Sequence, residues 1–549
     1  MNVDEMQKKL AVWAKRDPDH RFFDIYHLMY NEDWLHRAYR SVKSNNGSRT
    51  AGIDGLRMSD FEEDLEGNLQ ELRESLKDET FKPKPVRRTY IPKGDGRERP
   101  LGIPTIKDRI VQEALRMVLE PIYETDFSQY SYGFRPNRNT MDAVSVARIA
   151  TREQSKYFWV IDADIKGFFD NVDHQTLEQI IQDRMKDKQI RDLIWEFLKA
   201  GIMEEGEYRN SMTGTPQGGI VSPVLANIYL NELDQWVKQF TEISKYRKKK
   251  RRENGKGNWM YIRYADDFLL LTNGRKAEAK EMEERLREYL DQELKLTLSR
   301  KKTEVVHVND GFDFLGFHIE RGKDGEGGKS TKVTIPGGAR QDFREKIHAA
   351  TDGDTNTSER AKIMALNALI RGWGNYYKYC WDAAKTFNDL SYFVWNKVMD
   401  WVARKRKTTK KRVVRSMDTE GSKIKLGGLD LVLPSDLDGA ARYFEPIHKE
   451  HPYLEGEERV YEELPEDDPW LGTETEKPGL KGQKMKALQR DDWRCQKCGN
   501  NLGKEEAEVH HRKPIRKFSN PKQANRLGNL ISLCPECHAE VDPHRVVNQ

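Results

Sequence analysis

The sequence predicts a multidomain α+β protein that ends in a small zinc-containing domain. Three observations carry this. The chain has 549 residues, and about 150 residues per domain gives three to four domains. Apolar strand-like segments that end in aspartates are interleaved with amphipathic helical segments. Four of the five cysteines fall as two CxxC pairs within the last 55 residues.

Composition excludes several classes. No stretch approaches the roughly 18 consecutive apolar residues of a membrane helix. The N-terminus, MNVDEMQKKLAVWAKRDPD, is charged throughout and has no apolar signal core, so a cytoplasmic or organellar protein is expected, not a secreted one. Aromatics at 10% are too frequent for a disordered chain. Lys and Arg number 94 against 90 Asp and Glu, a net charge of +4. That balance argues against a nucleic-acid partner only if the charge is evenly spread.

Taken in order, residues 1–80 read as mostly helical, interrupted at Asn45-Asn46-Gly47 and at Ala51–Gly55. Residues 81–104 carry many prolines and glycines and read as basic short strands and turns. The following IKDRIVQEALRMVLEPIY has apolar residues at helical spacing. Residues 157–165 (YFWVIDADI) read as a buried strand that ends in carboxylates, 174–200 as helix, and 213–240 as a Gly/Pro-rich entry to another helix. Lys245 to Arg252 is almost wholly basic. WMYIRYADDFLLLT reads as two strands hinged at Ala265-Asp266-Asp267, followed by a charged helix over 275–293 and a strand through FDFLGFHI. Residues 358–403 are helical and aromatic-rich, Arg404 to Arg415 holds eight basic residues and no acid, and 450–468 reverses the sign with nine acids. Prolines and charge make 452–482 a linker.

The aspartates invite a metal. Two divalent ions about 3.5–4 Å apart clamp the attacking and leaving oxygens in nucleotidyl transfer, and hard cations take carboxylate oxygens. Asp162 and Asp164 share one face of their strand, by the period of two, and spacing does not choose between them. Asp266 and Asp267, flanked by YIRY and FLLL, would repel each other unless cations sat there. An ordinary acidic turn is the bland reading of the pair.

Several ordered motifs resolve this by resemblance. Tyr264-Ala265-Asp266-Asp267 resembles the YADD box of reverse transcriptases, Asp164–Asp170 (DIKGFFD) their first catalytic motif, and Thr215–Gly219 (TPQGG) the motif that follows. Order and spacing are similar to those of the group II intron-encoded class, as are Ala51–Gly55, Arg99–Pro104 and Phe314–Phe317. The resemblance runs from about residue 28 to 415 and resumes at the C-terminus. It implies a right-hand reverse transcriptase with two Mg2+ on Asp164, Asp266 and Asp267, with the Ile165 carbonyl adding an oxygen and Asp162 structural. It makes Phe169 the gate that excludes a 2′-hydroxyl. Lys93 and Arg99 would hold the incoming dNTP, Gln217 would lie under the nascent pair, and Lys302 would protonate pyrophosphate. Gly218 would let backbone approach closely.

RGWGNYYKY is similar to the thumb, or maturase, region that grips intron RNA. Most of Trp373, Tyr376, Tyr377, Tyr379, Trp381 and Trp395 are expected in a helical core. The remainder, with the 404–415 run, would face a phosphate backbone.

Each CxxC places two thiolates on one knuckle. Cys495, Cys498, Cys534 and Cys537 together make a tetrahedral zinc site in a reducing compartment. Between the knuckles, Glu508–Ile515 (EVHHRKPI), Gly528-Asn529-Leu530 and His538 resemble the HNH, or ββα-metal, nucleases. The resemblance implies His511 as general base, Asn529 as its orienting residue, and His510 and His538 as ligands of one divalent cation, Mg2+ or Mn2+. Consecutive histidines on a strand point to opposite faces, so a twist or bulge is expected there.

The expected organisation is an N-terminal extension (1–27), fingers and palm (28–330), helical thumb/maturase (331–410), DNA-binding region and linker (411–480) and HNH domain (481–549). The implied function is that of an RNA-directed DNA polymerase, splicing maturase and DNA endonuclease acting with group II intron RNA on target DNA. The final step is target-primed reverse transcription from dNTPs. A maturase with idle catalytic sites, or a reverse transcriptase of another retroelement, are the rival readings. A dimer is compatible with the sequence, and no membrane partner is expected. The +4 is then a sum of basic blocks at 82–109, 245–252, 404–415 and the C-terminus, offset by the acidic stretch.

Overall fold

The computed structural model describes residues 1–92, 98–204, 207–209, 214, 218–323, 329–353, 355–416, 424–437 and 451–454. Toward the C-terminus it describes 487–488, 490–491, 494–500, 502, 508–511, 529–534 and 537. The chain divides into two compact units, Met1–Glu462 and Glu463–Gln549.

The first unit is organised around the helix Ile106–Tyr123, the segment read as a helix from its periodicity. It is buried on all sides, with polar Gln112, Glu113 and Glu120 inside as well as its aliphatic residues. Val3–Arg16 and Glu32–Ser44 pack against it. Trp34, fully buried, donates its indole N–H to the Ala114 carbonyl at 3.0 Å. The basic segment after residue 81 forms the antiparallel pair Val86–Pro92 and Glu98–Ile103, extended by Ile202–Glu204 and Glu207–Arg209 into four strands.

The central sheet orders its strands Trp259–Tyr264, Asp267–Thr272, Trp159–Asp164 and Glu304–His307, all antiparallel. Helix Ser222–Thr241 packs on the edge strand Trp259–Tyr264, and helix Lys276–Gln292 packs on the inner strand Trp159–Asp164. A three-stranded sheet, Phe312–Phe314, Phe317–Lys323 and Lys329–Thr334, follows. Helices Gly337–Thr351, Glu359–Tyr377, Ala383–Lys405 and Lys410–Arg415 then enclose a core of their own, including Phe343, Leu366, Val394 and Trp401.

Two basic segments take a structure that the sequence reading left open. The basic run forms a helix, Lys245–Glu253, with no buried residue. Ser244 caps it by accepting the Arg247 amide, and Arg251 donates through Nε and Nη2 to the Gly257 carbonyl at 2.9 and 2.7 Å. The 404–415 run is partly structural. Arg406 pairs with Glu359 at 2.7 Å, Arg404 caps the Thr351 carbonyl at 2.6 Å, and Lys410 meets Asn396 at 2.7 Å. Lys407, Lys411, Arg412 and Arg415 remain exposed. The acidic 455–468 stretch and most of the linker lie outside the described residues.

Candidate active sites

Asp164 ends the Trp159–Asp164 strand, and the register sets it directly opposite Asp267, the first residue of the neighbouring strand. Asp267 in turn pairs with Tyr264, so Ala265 and Asp266 form a two-residue hairpin turn. The three expected carboxylates therefore converge at one edge of the central sheet. Lys302 reaches them from 138 residues away, donating to both Asp164 carboxylate oxygens at 2.8 and 2.9 Å. Just beyond, Ile165 pairs with Leu298 through the Lys166 amide and the Asp164 carbonyl. In that pattern the Ile165 carbonyl turns away from Leu298.

Asp162 sits between Leu269 and Glu304, on the same face as Asp164. Burial, then Asp267, Glu304, Asp164 and Asp313, push its carboxyl up to about 7. So many acids at one place form an all-oxygen donor set with surplus negative charge, which suits hard divalent cations.

The hairpin turn is held from below. Ala265 has a φ of 55°, a left-handed conformation that a non-glycine residue adopts only when its surroundings impose it. Arg263 supplies part of that constraint. It is fully buried and pairs with fully buried Asp234 through Nε at 2.7 Å and Nη2 at 2.6 Å. Its Nη1 donates to Asn227 and to the Ala265 carbonyl, each at 3.1 Å. The Tyr261 hydroxyl donates to Asp234 as well. The backbone of Tyr130–Tyr132 runs alongside, exchanging two bonds of 2.8 Å with Arg263. Gly133 completes the support, since a Cβ there would lie 2.4 Å from the Ala265 nitrogen. Arg263→Met strands a buried carboxylate and is expected to cost about 3–5 kcal/mol. Arg263→Met/Asp234→Leu is expected to recover most of it, as urea unfolding of the single and double variants would report.

Phe169 lies half-buried in the short helix Phe168–Asn171, against Phe168 and Phe134 at centroid distances of 5.3 and 6.1 Å. Arg99 stands opposite Ile91 in the basic hairpin. Lys93 and Gln217 lie outside the described residues. Gly218, at φ 117°, packs against the strand pair: a Cβ there would meet the Gly102 carbonyl at 2.5 Å.

Among the expected thumb aromatics, Trp373 packs between Phe343, Tyr377 and Phe387. Trp381 is exposed, with the Lys332 ammonium 4.0 Å above its ring. Tyr379 and Trp395 lie under Lys378 and Lys410. Tyr376 and Tyr377 reach another sheet altogether.

In the second unit the thiols of Cys495, Cys498, Cys534 and Cys537 all lie within 4.8 Å of one another. The Cys498–Cys534 sulfur separation is 3.8 Å, the edge of a tetrahedron with metal–sulfur bonds of about 2.3 Å. Burial raises the Cys495 thiol, but amides of Cys498, Cys534 and Lys497 outweigh it and bring it down to about 6. Burial and the three neighbouring thiols push Cys537 up to about 12. Four converging thiols, one of them readily ionised, are a set a zinc ion could hold.

Glu508–His511 pairs antiparallel with Leu530–Leu533, placing His511 opposite Leu530 and His510 opposite Ile531. The four backbone pairs of this ladder follow one another without interruption. Asn529 immediately precedes Leu530, at the His511 end. His538 lies outside the described residues.

The sequence reading missed the acids Glu304 and Asp313 beside Asp162, and the Arg263–Asp234–Asn227 support. A charged residue inside the apolar strand WMYIRY was the available signal for the latter, since a buried Arg needs a partner.

Comparison with known proteins agrees with this layout. The family described as reverse transcriptase (RNA-dependent DNA polymerase) matches residues 91–319. The group II intron maturase-specific domain matches 340–417, and the HNH endonuclease family matches 495–542. Protein YkfC of Escherichia coli K12 is 38% identical over 367 residues, 64% of this chain and 96% of that protein. The group II intron-encoded protein LtrA of Lactococcus lactis subsp. cremoris is 32% identical over 491 residues, 76% of this chain and 80% of that protein. An uncharacterized 91 kDa protein in the cob intron of Schizosaccharomyces pombe is 30% identical over 451 residues, 71% of this chain and 55% of that protein.

Proposed function

Because this chain belongs to the group II intron-encoded proteins, we propose that Asp164, Asp266 and Asp267 form its DNA-synthesis site and that His511 and Asn529 serve its strand-nicking site. The protein is an RNA-directed DNA polymerase, intron maturase and DNA endonuclease. The observation that carries the site assignment is the pairing of Asp164 with Asp267 across adjacent strands, with Asp266 in the turn between.

In this reading 28–330 are fingers and palm, 331–410 the thumb and maturase, 411–480 a DNA-binding connector and 481–549 the nuclease. The matched spans 91–319, 340–417 and 495–542 support that division. The three aspartates and the Ile165 carbonyl would hold two Mg2+, which would supply charge stabilisation for nucleotidyl transfer. Phe169, braced by Phe134 and Phe168, presents its ring under the sugar of the dNTP. Lys93, Arg99 and Gln217 position that nucleotide. Lys302, already beside Asp164, is placed to give a proton to pyrophosphate. In the nuclease His511 takes a proton from water, Asn529 orients it, and His510 and His538 hold a divalent cation. The four cysteines hold structural zinc.

Intron RNA binds the maturase region, target DNA is nicked, and the freed 3′ end primes synthesis. The test supplies an RNA template, a DNA primer and dNTPs to the protein, and target duplex to its complex with intron RNA. Extension and nicking are expected, and failure of dNTP incorporation would overturn the polymerase assignment.

The basic helix Lys245–Glu253 belongs to the RNA-binding surface in this reading. Seven of its nine residues are cationic and none is buried. Like charges at i and i+4, such as Lys245 and Lys249, disfavour such a helix unless a polyanion is near. Lys248→Gln/Lys249→Gln/Lys250→Gln is expected to reduce the slope of log affinity for intron RNA against log salt by about 2 to 3. A filter-binding titration over a range of salt would read this, and an unchanged slope would remove the helix from the interface.

A further inference from the structure

Gly214, the residue before the TPQGG segment, lies against the backbone that carries Phe169. Its amide donates to the Val172 carbonyl at 2.9 Å, and its carbonyl accepts from His174 Nε2 at 2.6 Å. Both partners lie just beyond the short helix Phe168–Asn171. Gly214 is buried and has a φ of 93°, a conformation that favours glycine. Space demands glycine as well. A Cβ there would lie 2.9 Å from the Phe169 carbonyl oxygen and 3.0 Å from both the Cα and the carbonyl oxygen of Asp170. Gly214 is thus a wedge behind the residue read as the sugar gate.

His174 keeps the wedge in place. It opens the helix His174–Arg184 and is only 4% exposed. A carbonyl oxygen only accepts, so Nε2 carries the hydrogen of this bond. The start of the helix is set by Asp173, which accepts the Thr176 amide at 2.9 Å and the Thr176 hydroxyl at 2.7 Å. Lys295 holds the same carboxylate at 2.7 Å. The Trp195 ring meets the imidazole edge-on at 6.1 Å. The gate helix is tied to the turn before it by Asn171, whose Nδ2 donates to the Lys166 and Gly167 carbonyls at 3.0 and 2.8 Å. The gate therefore bears on Gly214 and on the Phe134 and Phe168 rings.

We propose that His174 is a positioning residue for nucleotide selection: its imidazole holds Gly214 against the gate helix and so sets how closely the Phe169 ring approaches the sugar. The proposal rests on the reading of Phe169 as the 2′-hydroxyl gate. A steric gate works only while its support is rigid, and close packing supplies that rigidity. Without the imidazole N–H, the buried Gly214 carbonyl loses its donor, which favours turning the peptide toward another one. The wedge then loosens, Phe169 gives way, and a ribonucleotide fits.

The test uses the full chain and single-nucleotide addition to an annealed primer–template, with a dNTP or the matching rNTP. His174→Gln keeps an N–H donor at the reach of Nε2, whereas the amide of His174→Asn stops one bond short. His174→Asn is expected to lower the ratio of kcat/KM for dNTP over rNTP by about 5- to 10-fold, the effect of one lost hydrogen bond. His174→Phe, which fills the space without a donor, carries the same expectation, and His174→Gln is expected to keep the ratio within about twofold of wild type. A merely structural role would slow both nucleotides alike and leave the ratio unchanged. An unchanged ratio in the folded donor-less variants, or an equal fall with His174→Gln, would overturn the proposal. Phe169→Val separates the two ideas. It is expected to lower the ratio by itself, and His174→Asn added to it is expected to lower it no further, because both act on one gate. If Phe169→Val keeps the ratio, the gate reading fails; if it lowers the ratio while the donor-less His174 variants do not, only the role of His174 fails.

Discussion

Replacing Asp266 and Asp267 together with alanine is expected to abolish DNA synthesis while leaving the fold intact. The two carboxylates sit at the turn and first strand position of the hairpin, opposite Asp164. Charge stabilisation by bound metal contributes several kcal/mol to such a transition state, and each 1.36 kcal/mol is tenfold, so the loss is at least about 10³-fold. Stability should not fall. Asp267 is the second largest reason, after burial, that the Asp162 carboxyl is pushed up to about 7; its removal relieves repulsion there. The support of the turn by Arg263, Asp234 and Gly133 involves neither aspartate side chain. Primer extension and thermal melting on the same preparation check both halves. Substantial synthesis by the double variant would remove these residues from catalysis, and a lowered melting temperature would mean that they support the fold.

Removing the metal from the cysteine cluster is the second large effect, and it is expected to silence nicking while sparing DNA synthesis from a supplied primer. The reason is the size of the core in the second unit. Its main described hydrophobic cluster comprises Leu488, Cys495, Leu502, Leu533 and Cys537, so two of its five buried members are themselves cysteines. Such a core cannot hold a fold without the ion, and in sites of this kind binding energy is folding energy. Among the described residues the Glu508–His511 strand pairs only with Leu530–Leu533, which runs directly into Cys534. Loss of the cluster therefore loosens the pair that carries His510, His511 and Asn529. A chelator, or Cys498→Ser, is expected to release zinc, expose the unit to limited proteolysis and reduce nicking by at least about 100-fold. Polymerase activity should persist because its site lies in a different compact unit. Nicking that survives complete zinc release would contradict this.

Much of this molecule was legible along the chain because the signals are local. The apolar run before Asp164 predicted one strand ending in carboxylates, and the apolar runs on both sides of Asp266-Asp267 predicted two more that meet at a turn. The structure has them as Trp159–Asp164, Trp259–Tyr264 and Asp267–Thr272. The helix Ile106–Tyr123 coincides with its periodic segment. Two CxxC pairs predicted one thiol cluster, and the four sulfurs gather. Net charge alone was uninformative, since +4 conceals a seven-cation helix. That this run would be a helix was not evident, because its charges disfavour one, and the Ser244 cap and the Arg251–Gly257 contact that help secure it are tertiary details.

By itself, then, the sequence determined which chemical groups are present, the secondary structure that carries them and the family they resemble. Tertiary structure decided which of those groups meet. Lys302 finds Asp164 across 138 residues, Arg263 finds Asp234 across 29, and Tyr376 finds Leu315 across 61. The physical reason is that a strand or helix is specified by its own few neighbours. A buried ion pair or a hydroxyl–carbonyl hydrogen bond exists only where separate elements pack, and the packing is paid for by the whole core.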